Sequence, residues 1–309
     1  MRRTYSIPEL CEALEVSSSG YYAWLRPTPG PRAQANAALL REIKTIHAHR
    51  HTRSYGSPRM TRELQDRHLP CSRHRVARLM RAQGLRARPK RPFRPRTTQP
   101  DHAAHPSPNL LKNIPPPTAP GQQLVTDLCQ PPPVLPCGLP AAGDLVPLGS
   151  YLPTREGWLY LSVIIDLFSR TVLGWKSSQS LHASLVVETI QRAAAAKLIS
   201  PQCLFHSDRG CQYTSREVRQ YLASCHWQQS MSAKGYCYDN AYAESFFASL
   251  KAEILPANGV FDSIAQAELA LFDYLETFYN RSRRHSSLGY LSPHNFLNLY
   301  FQNQQSNLN

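Results

Sequence analysis

Three carboxylates in this chain of 309 residues could together hold divalent cations. Asp127 closes the apolar run Gln123-Leu124-Val125-Thr126, Asp208 follows the apolar stretch Cys203 to His206, and Glu244 lies on a helical run with 35 residues between it and Asp208. Hard cations prefer oxygen ligands, and a pair of them can bridge the attacking and leaving oxygens of a phosphodiester. Acids converging from strand ends therefore suit phosphoryl transfer. Each acid alone also has a plainer reading: Asp208 as the cap of a loop, Asp127 as a satisfied polar group at a strand end, Glu244 as an exposed helix residue. Asn240, Glu244 and Lys251 stand at successive spacings of four and seven, on one helix face, where a lysine could touch a phosphate beside the cations.

The elements that must position these acids read as an α/β domain with a mixed sheet of five strands. Strands are expected at Gln123 to Leu128, Trp158 to Leu167, Thr171 to Lys176, Cys203 to His206 and Trp227 to Met231, with Ser169-Arg170 as a hairpin turn. Helices are expected at Leu181 to Lys197, Ser215 to Ser224, Asn240 to Ile254 and residues 262–280. The core domain would run over 121–300, and the polar tail 301–309 reads as disordered.

Ahead of it the pattern is all helical. Residues 1–30 read as a helix-turn-helix, and residues 35–85 as a second DNA-binding unit of that kind. In that unit Ser72 caps a helix carrying Arg73, Arg75, Arg78 and Arg81 over a stripe of Val76, Leu79 and Met80. Arginines there suit phosphate contact and groove entry, although a solvated basic face would look the same. Residues 86–120 form a basic, proline-rich linker that includes Lys90 and Arg91.

Charge sorts the chain the same way. Residues 1–100 hold 21 bases against 6 acids, and the remainder 14 against 15, so the excess of +14 belongs to one end. That asymmetry suggests a polyanion-binding front on a neutral working part. The eight cysteines form no Cys-x-x-Cys pair and no zinc quartet, which fits reduced thiols in cytoplasm. No apolar run has the length of a membrane span, and no signal-peptide core opens the chain.

Several ordered motifs together resemble the transposases of the insertion sequence 3 family. They are Thr126-Asp127, Glu156-Gly157-Trp158-Leu159-Tyr160-Leu161, Asp166-Leu167-Phe168-Ser169-Arg170, His206-Ser207-Asp208-Arg209-Gly210, Asp239-Asn240-Ala241, Ala243-Glu244-Ser245-Phe246-Phe247, and Tyr279-Asn280-Arg281 with Arg284-His285-Ser286-Ser287-Leu288-Gly289-Tyr290. The resemblance implies an RNase H-like, retroviral-integrase-type core in which Asp127, Asp208 and Glu244 are catalytic metal ligands for two Mg2+ ions, with Mn2+ able to replace them. It implies that water nicks double-stranded DNA at an element end and that the freed 3′-hydroxyl then attacks target DNA. It further implies a homo-multimer on DNA, and a second-reading-frame product that works with an upstream protein as fusion or partner.

One departure from the family pattern is plain. Residues 130–150, with six prolines and three glycines, intervene before Tyr151-Leu152-Pro153-Thr154 resumes the pattern. A loop pushed out of the hairpin between the first two strands is expected, at a closure cost of about 0.6 kcal/mol per doubling of length. Because Asp127 sits three residues before it, the alternative function is a catalytically impaired DNA-binding remnant.

Overall fold

The computed structural model describes residues 5–25, 29–87, 106–128, 150–233 and 241–307. The chain divides into a helical unit, residues 1–49 and 56–86, and a second unit, residues 50–55 and 87–309.

In the helical unit, α1 (Ile7–Ala13) begins with a reciprocal cap. The Ser6 amide donates to Glu9 Oε2 at 2.7 Å. The Ser6 hydroxyl donates to the same oxygen at 2.8 Å. α1 pairs with α2 (Ser18–Leu25). Three further helices, α3 (Pro31–Ala48), α4 (Ser57–Asp66) and α5 (Arg73–Ala82), bury Leu39, Ile43, Ile46, Met60, Leu64, Val76 and Met80 between them. Ser72 caps α5 by accepting the Arg75 amide, as its position ahead of the apolar stripe requires.

The second unit is built on a mixed sheet of six strands: β1 (Gln123–Asp127), β2 (Tyr151–Thr154), β3 (Gly157–Asp166), β4 (Val172–Ser178), β5 (Leu204–Ser207) and β6 (Gln228–Met231). β1 pairs antiparallel with β3 and parallel with β5, and β5 pairs parallel with β6. One face carries α6 (Ala183–Ala195), the short α7 (Cys211–Thr214) and α8 (Arg216–Ser224) over a core that includes Leu124, Leu128, Ile164, Ile190, Phe205 and Leu222. α9 (Ala241–Ile254) packs on β1, and α10 (Ile264–Phe272) on β2 and β3.

The expectation of five strands is corrected to six. β2 is only four residues long and contains Pro153, which cannot donate to a ladder, so it does not read as a strand until its pairing with β3 is seen. Its register also corrects the expected site of the insertion. Asp127 faces Val163 and Tyr151 faces Tyr160, so a three-step stretch of β3 faces a segment running from 127 to 151, and the surplus matches the length of the stretch 129–149. Between them Ser150 O accepts the Leu161 amide at 2.6 Å, taking the next place in line. β1 and β2 are thus two halves of one strand in unbroken register, interrupted in mid-strand and not at a hairpin. Residues 129–149 themselves lie outside the described residues.

Two other expectations change. The single helix expected over 262–280 is α10 followed by a π-helix, Asp273–Tyr279. The tail expected to be disordered is helical as far as Ser306, because α11 (Pro293–Ser306) is capped by Ser292 and anchored by Phe296 and Tyr300, whose rings pack on Phe168 at 5.3 and 5.0 Å. Once its first turns are fixed, the rest propagates at little cost.

Deleting residues 129–149 is expected to leave the melting temperature and the far-UV circular dichroism essentially unchanged, since it joins the half-strands in register. Deleting 129–150 leaves the strand one residue short and, because a one-residue slip turns side chains to the wrong face, should lower the melting temperature sharply. Equal behaviour of the two deletions would refute the shared register.

Candidate active site

Register brings two of the three acids together. Leu124 faces Phe205 and Val125 faces His206 in the parallel β1–β5 ladder, so two steps further Asp127 comes level with Asp208. Neighbouring strands lie roughly 5 Å apart. Both acids stand at carboxyl ends of parallel strands, where α/β sheets bind ligands. Alternation along β1 turns Asp127 away from Leu124 and Leu128 of the α6 side and toward the side of α9. Asp127 is buried, at 4% exposure, while Asp208 and Glu244 keep some access to solvent.

Glu244, in the first turn of α9, completes the group. Burial and then the charge of Asp127 push its carboxyl from the ordinary 4.5 up to about 7. A shift with these causes means that the two carboxylates sense each other in a poorly solvated place, where like charges disfavour joint ionisation. The donor set is all carboxylate oxygen, as a hard divalent cation requires, and a cation between the acids would relieve the repulsion. The three acids thus fit such an ion by the chemistry of their oxygens, while as placed no three acid, histidine or cysteine side chains among the described residues are gathered closely enough to hold one.

The surrounding groups hold these acids in place. Asp208 Oδ1 accepts the Gly210 amide at 3.0 Å, fixing its turn. His206 is wholly buried, with Nδ1 at 2.9 Å from Ser230 Oγ and Nε2 at 3.1 Å from Ser232 Oγ, so it ties β5 to β6 two residues before Asp208. Asp166, the other acid of the sheet, is spent structurally. Its oxygens accept Gly121 N at 3.0 Å, Ser169 N at 2.8 Å and Ser169 Oγ at 2.6 Å. Position 121 demands glycine, because only that residue tolerates both a left-handed backbone and so close an approach. The φ of Gly121 is +74°, and a Cβ would lie 2.0 Å from the Leu198 carbonyl oxygen.

Lys251, expected to touch a phosphate beside the cations, is buried. It is 5% exposed, with Nζ 4.3 Å from the centroid of the Tyr151 ring, because β2 lays that ring across the helix face on which the lysine stands. The ring's negative face attracts the ammonium and holds it there. Of the helical-unit arginines, Arg73, Arg78 and Arg81 are exposed, whereas Arg75 is half-buried and donates from Nε to Asn36 Oδ1 at 2.8 Å. Lys90, Arg91 and Asn240 lie outside the described residues. Sequence reading missed Arg170. It takes a left-handed φ of 62° in the β3–β4 turn and sets its guanidinium 4.1 Å over the ring of Tyr242, two residues before Glu244. The only sequence signal for it was the Ser169-Arg170 turn.

Comparison with known proteins decides the family. Transposase InsF for insertion sequence IS3A of Escherichia coli is 37% identical over 297 residues, covering 95% of this chain and 94% of its own length. The chain belongs to the insertion sequence 3 family of transposases. The insertion element IS600 31 kDa protein of Shigella sonnei is 36% identical over 293 residues, covering 95% of this chain and 99% of that one. Family models match this transposase as an HTH-like domain over residues 34–93 and as an integrase core domain over residues 141–237 and 226–293. Among solved structures, the HTLV-2 integrase catalytic core in complex with magnesium aligns at 13% identity with a TM-score of 0.36, covering 55% of this chain and 92% of that one. No helix among the transposase's described residues is long and apolar enough to cross a membrane.

The raised Glu244 carboxyl makes stability depend on pH in a definite direction. Its folded value lies above the unfolded one, so its contribution is complete below about 4.5 and is lost as pH rises through about 7. Without divalent ions the transposase's melting temperature should fall over that window; Glu244→Gln should flatten the fall, and millimolar Mg2+ should cancel it. Thermal denaturation across pH, with and without Mg2+, reads all three.

Proposed function

We propose that the chain is a DNA transposase whose Asp127, Asp208 and Glu244 hold two Mg2+ ions, Mn2+ serving in their place, for strand cleavage and strand transfer of an insertion sequence. The observation that carries this reading is the convergence of Asp127 and Asp208 at neighbouring parallel strand ends with a Glu244 that senses Asp127. Bound divalent ions supply Lewis-acid polarisation of the reacting phosphodiester and lower the pKa of the attacking hydroxyl. The chain's own work is positioning and electrostatics, with no covalent enzyme intermediate. Asp127 and Asp208, fixed at rigid strand ends, would hold the cations that receive the scissile phosphate. Glu244, largely protonated below about pH 7 until cations bind, couples assembly of the site to their arrival.

Double-stranded DNA, as element ends and as target, is the partner that the basic front favours. Exposed Arg73, Arg78 and Arg81, with Lys90 and Arg91 of the linker, contact phosphates, and Asn240 and Lys251 are assigned to DNA as well. Lys251 reaches a phosphate only if the Tyr151 ring gives way. Action as a homo-multimer on DNA, with an upstream-reading-frame protein as fusion or partner, and location in the cytoplasm complete the reading. The register of β1 and β2 favours an intact enzyme over a disabled remnant, because the half-strand bearing Asp127 remains in place.

Asp208→Asn and Glu244→Gln should abolish cleavage of DNA carrying the element ends, with the wild-type affinity for that DNA retained; cleavage by either variant refutes the assignment. Arg78→Ala and Arg81→Ala should each weaken DNA binding and lower the slope of log K against log salt by about 1. Filter binding across a salt series measures that slope.

A further inference from the structure

α9 is gripped on its side away from Glu244. Phe246, Leu250 and Glu253 follow one another at spacings of four and three along that side. Glu253, nine residues past Glu244, points nearly opposite to it on a helix of about 3.6 residues per turn. Glu253 is buried and fully engaged: Arg283 donates Nε to Oε2 and Nη2 to Oε1, both at 2.8 Å, and the Tyr274 hydroxyl donates to Oε2 at 2.7 Å. Beside them the ring of Phe246 meets that of Tyr279 edge-on at 5.2 Å.

The π-winding makes this grip possible. Residues five apart share a face in a π-helix, whereas in an α-helix they diverge by about 140°. Tyr274 and Tyr279 can therefore both reach α9, one through its hydroxyl and one through its ring. The same segment is pinned from behind. His51 stacks on Phe278 at 4.7 Å and meets Asp273 at 2.5 Å, and Asn280 exchanges two 2.9 Å hydrogen bonds with the backbone of Val172 on β4. A one-sided bidentate ion pair fixes the angle of a helix more strictly than apolar packing, because it fails if the helix rotates.

We propose that Arg283 and Tyr274 are positioning residues for the cation site: through Glu253 they set the rotation of α9 and so the direction of Glu244. The proposal rests on the reading of Glu244 as a cation ligand. Neither residue is one of the three acids, and Tyr274 lies in the segment that reads in sequence as a plain amphipathic helix.

The test uses the full chain with Tyr274→Phe and Arg283→Lys, which keep ring packing and charge, and Ile190→Val on α6 as a control of mild destabilisation far from α9. The readouts are the Mn2+ concentration giving half of the cation-induced rise in melting temperature, and the Mn2+ concentration for half-maximal DNA cleavage. Partners behind metal ligands commonly change metal affinity roughly 10- to 100-fold. Both variants should raise the two midpoints by about tenfold or more, and the control should leave them unmoved. Unchanged midpoints in folded variants overturn the positioning role alone. If instead the wild-type chain shows no cation-induced rise, the ligand reading fails and the proposal falls with it. Should Arg283→Lys not fold, Tyr274→Phe alone decides.

Discussion

Two parallel strands have to end side by side with an aspartate at each end, and much of the integrase-like unit can be understood as the means of keeping them there. The β1–β5 ladder sets Asp127 level with Asp208, and buried His206 locks β5 to β6 through two serines. Gly121 lets the start of β1 approach the loop after α6, while Asp166 ties that glycine to the β3–β4 turn. None of these contacts touches a substrate. Together they remove the freedom by which the strand ends could separate, while burial, and then the charge of Asp127, raise the pKa of Glu244. On the proposed reading, cation binding would release the cost of holding Glu244 beside Asp127.

α9 brings the third acid from a different part of the chain and so needs its own restraints. Arg170 lies over Tyr242 near its start, the Tyr151 ring covers Lys251 further along, and Glu253 is held from behind by Arg283 and Tyr274. The insertion enters the same neighbourhood, between Leu128 and Ser150, yet the half-strands on either side keep one register. The ladder to β3 supplies enough pairing on each side to hold that register, which is why an interruption beside Asp127 leaves the sheet intact.

Much of the site was legible in the sequence because motif spacing and strand ends are local features. Asp127 and Asp208 could be read from apolar runs that stop at an acid, and Glu244 from a helical face. What was not legible depends on distant partners. β2 was not read as a strand because Pro153 weakens its strand signal, and only pairing with β3 reveals it. The π-helix has the same apolar content as an α-helix, so periodicity alone merged it with α10. Lys251 read as a phosphate contact because its spacing from Glu244 is right, but spacing does not report the Tyr151 ring above it. The helix through Ser306 was hidden by its polar end, its anchor being Phe168 far back in the chain.

If Asp127, Asp208 and Glu244 are joint ligands of two divalent ions, the ions can be located directly. The most direct measurement is diffraction from crystals of the full chain grown with Mn2+, using its anomalous signal to locate the metal. Two peaks are expected, each touching Asp127 and together contacting Asp208 and Glu244. Peaks elsewhere, at Asp166 for example, or no metal density between the three carboxylates in Mn2+-saturated crystals, would contradict it.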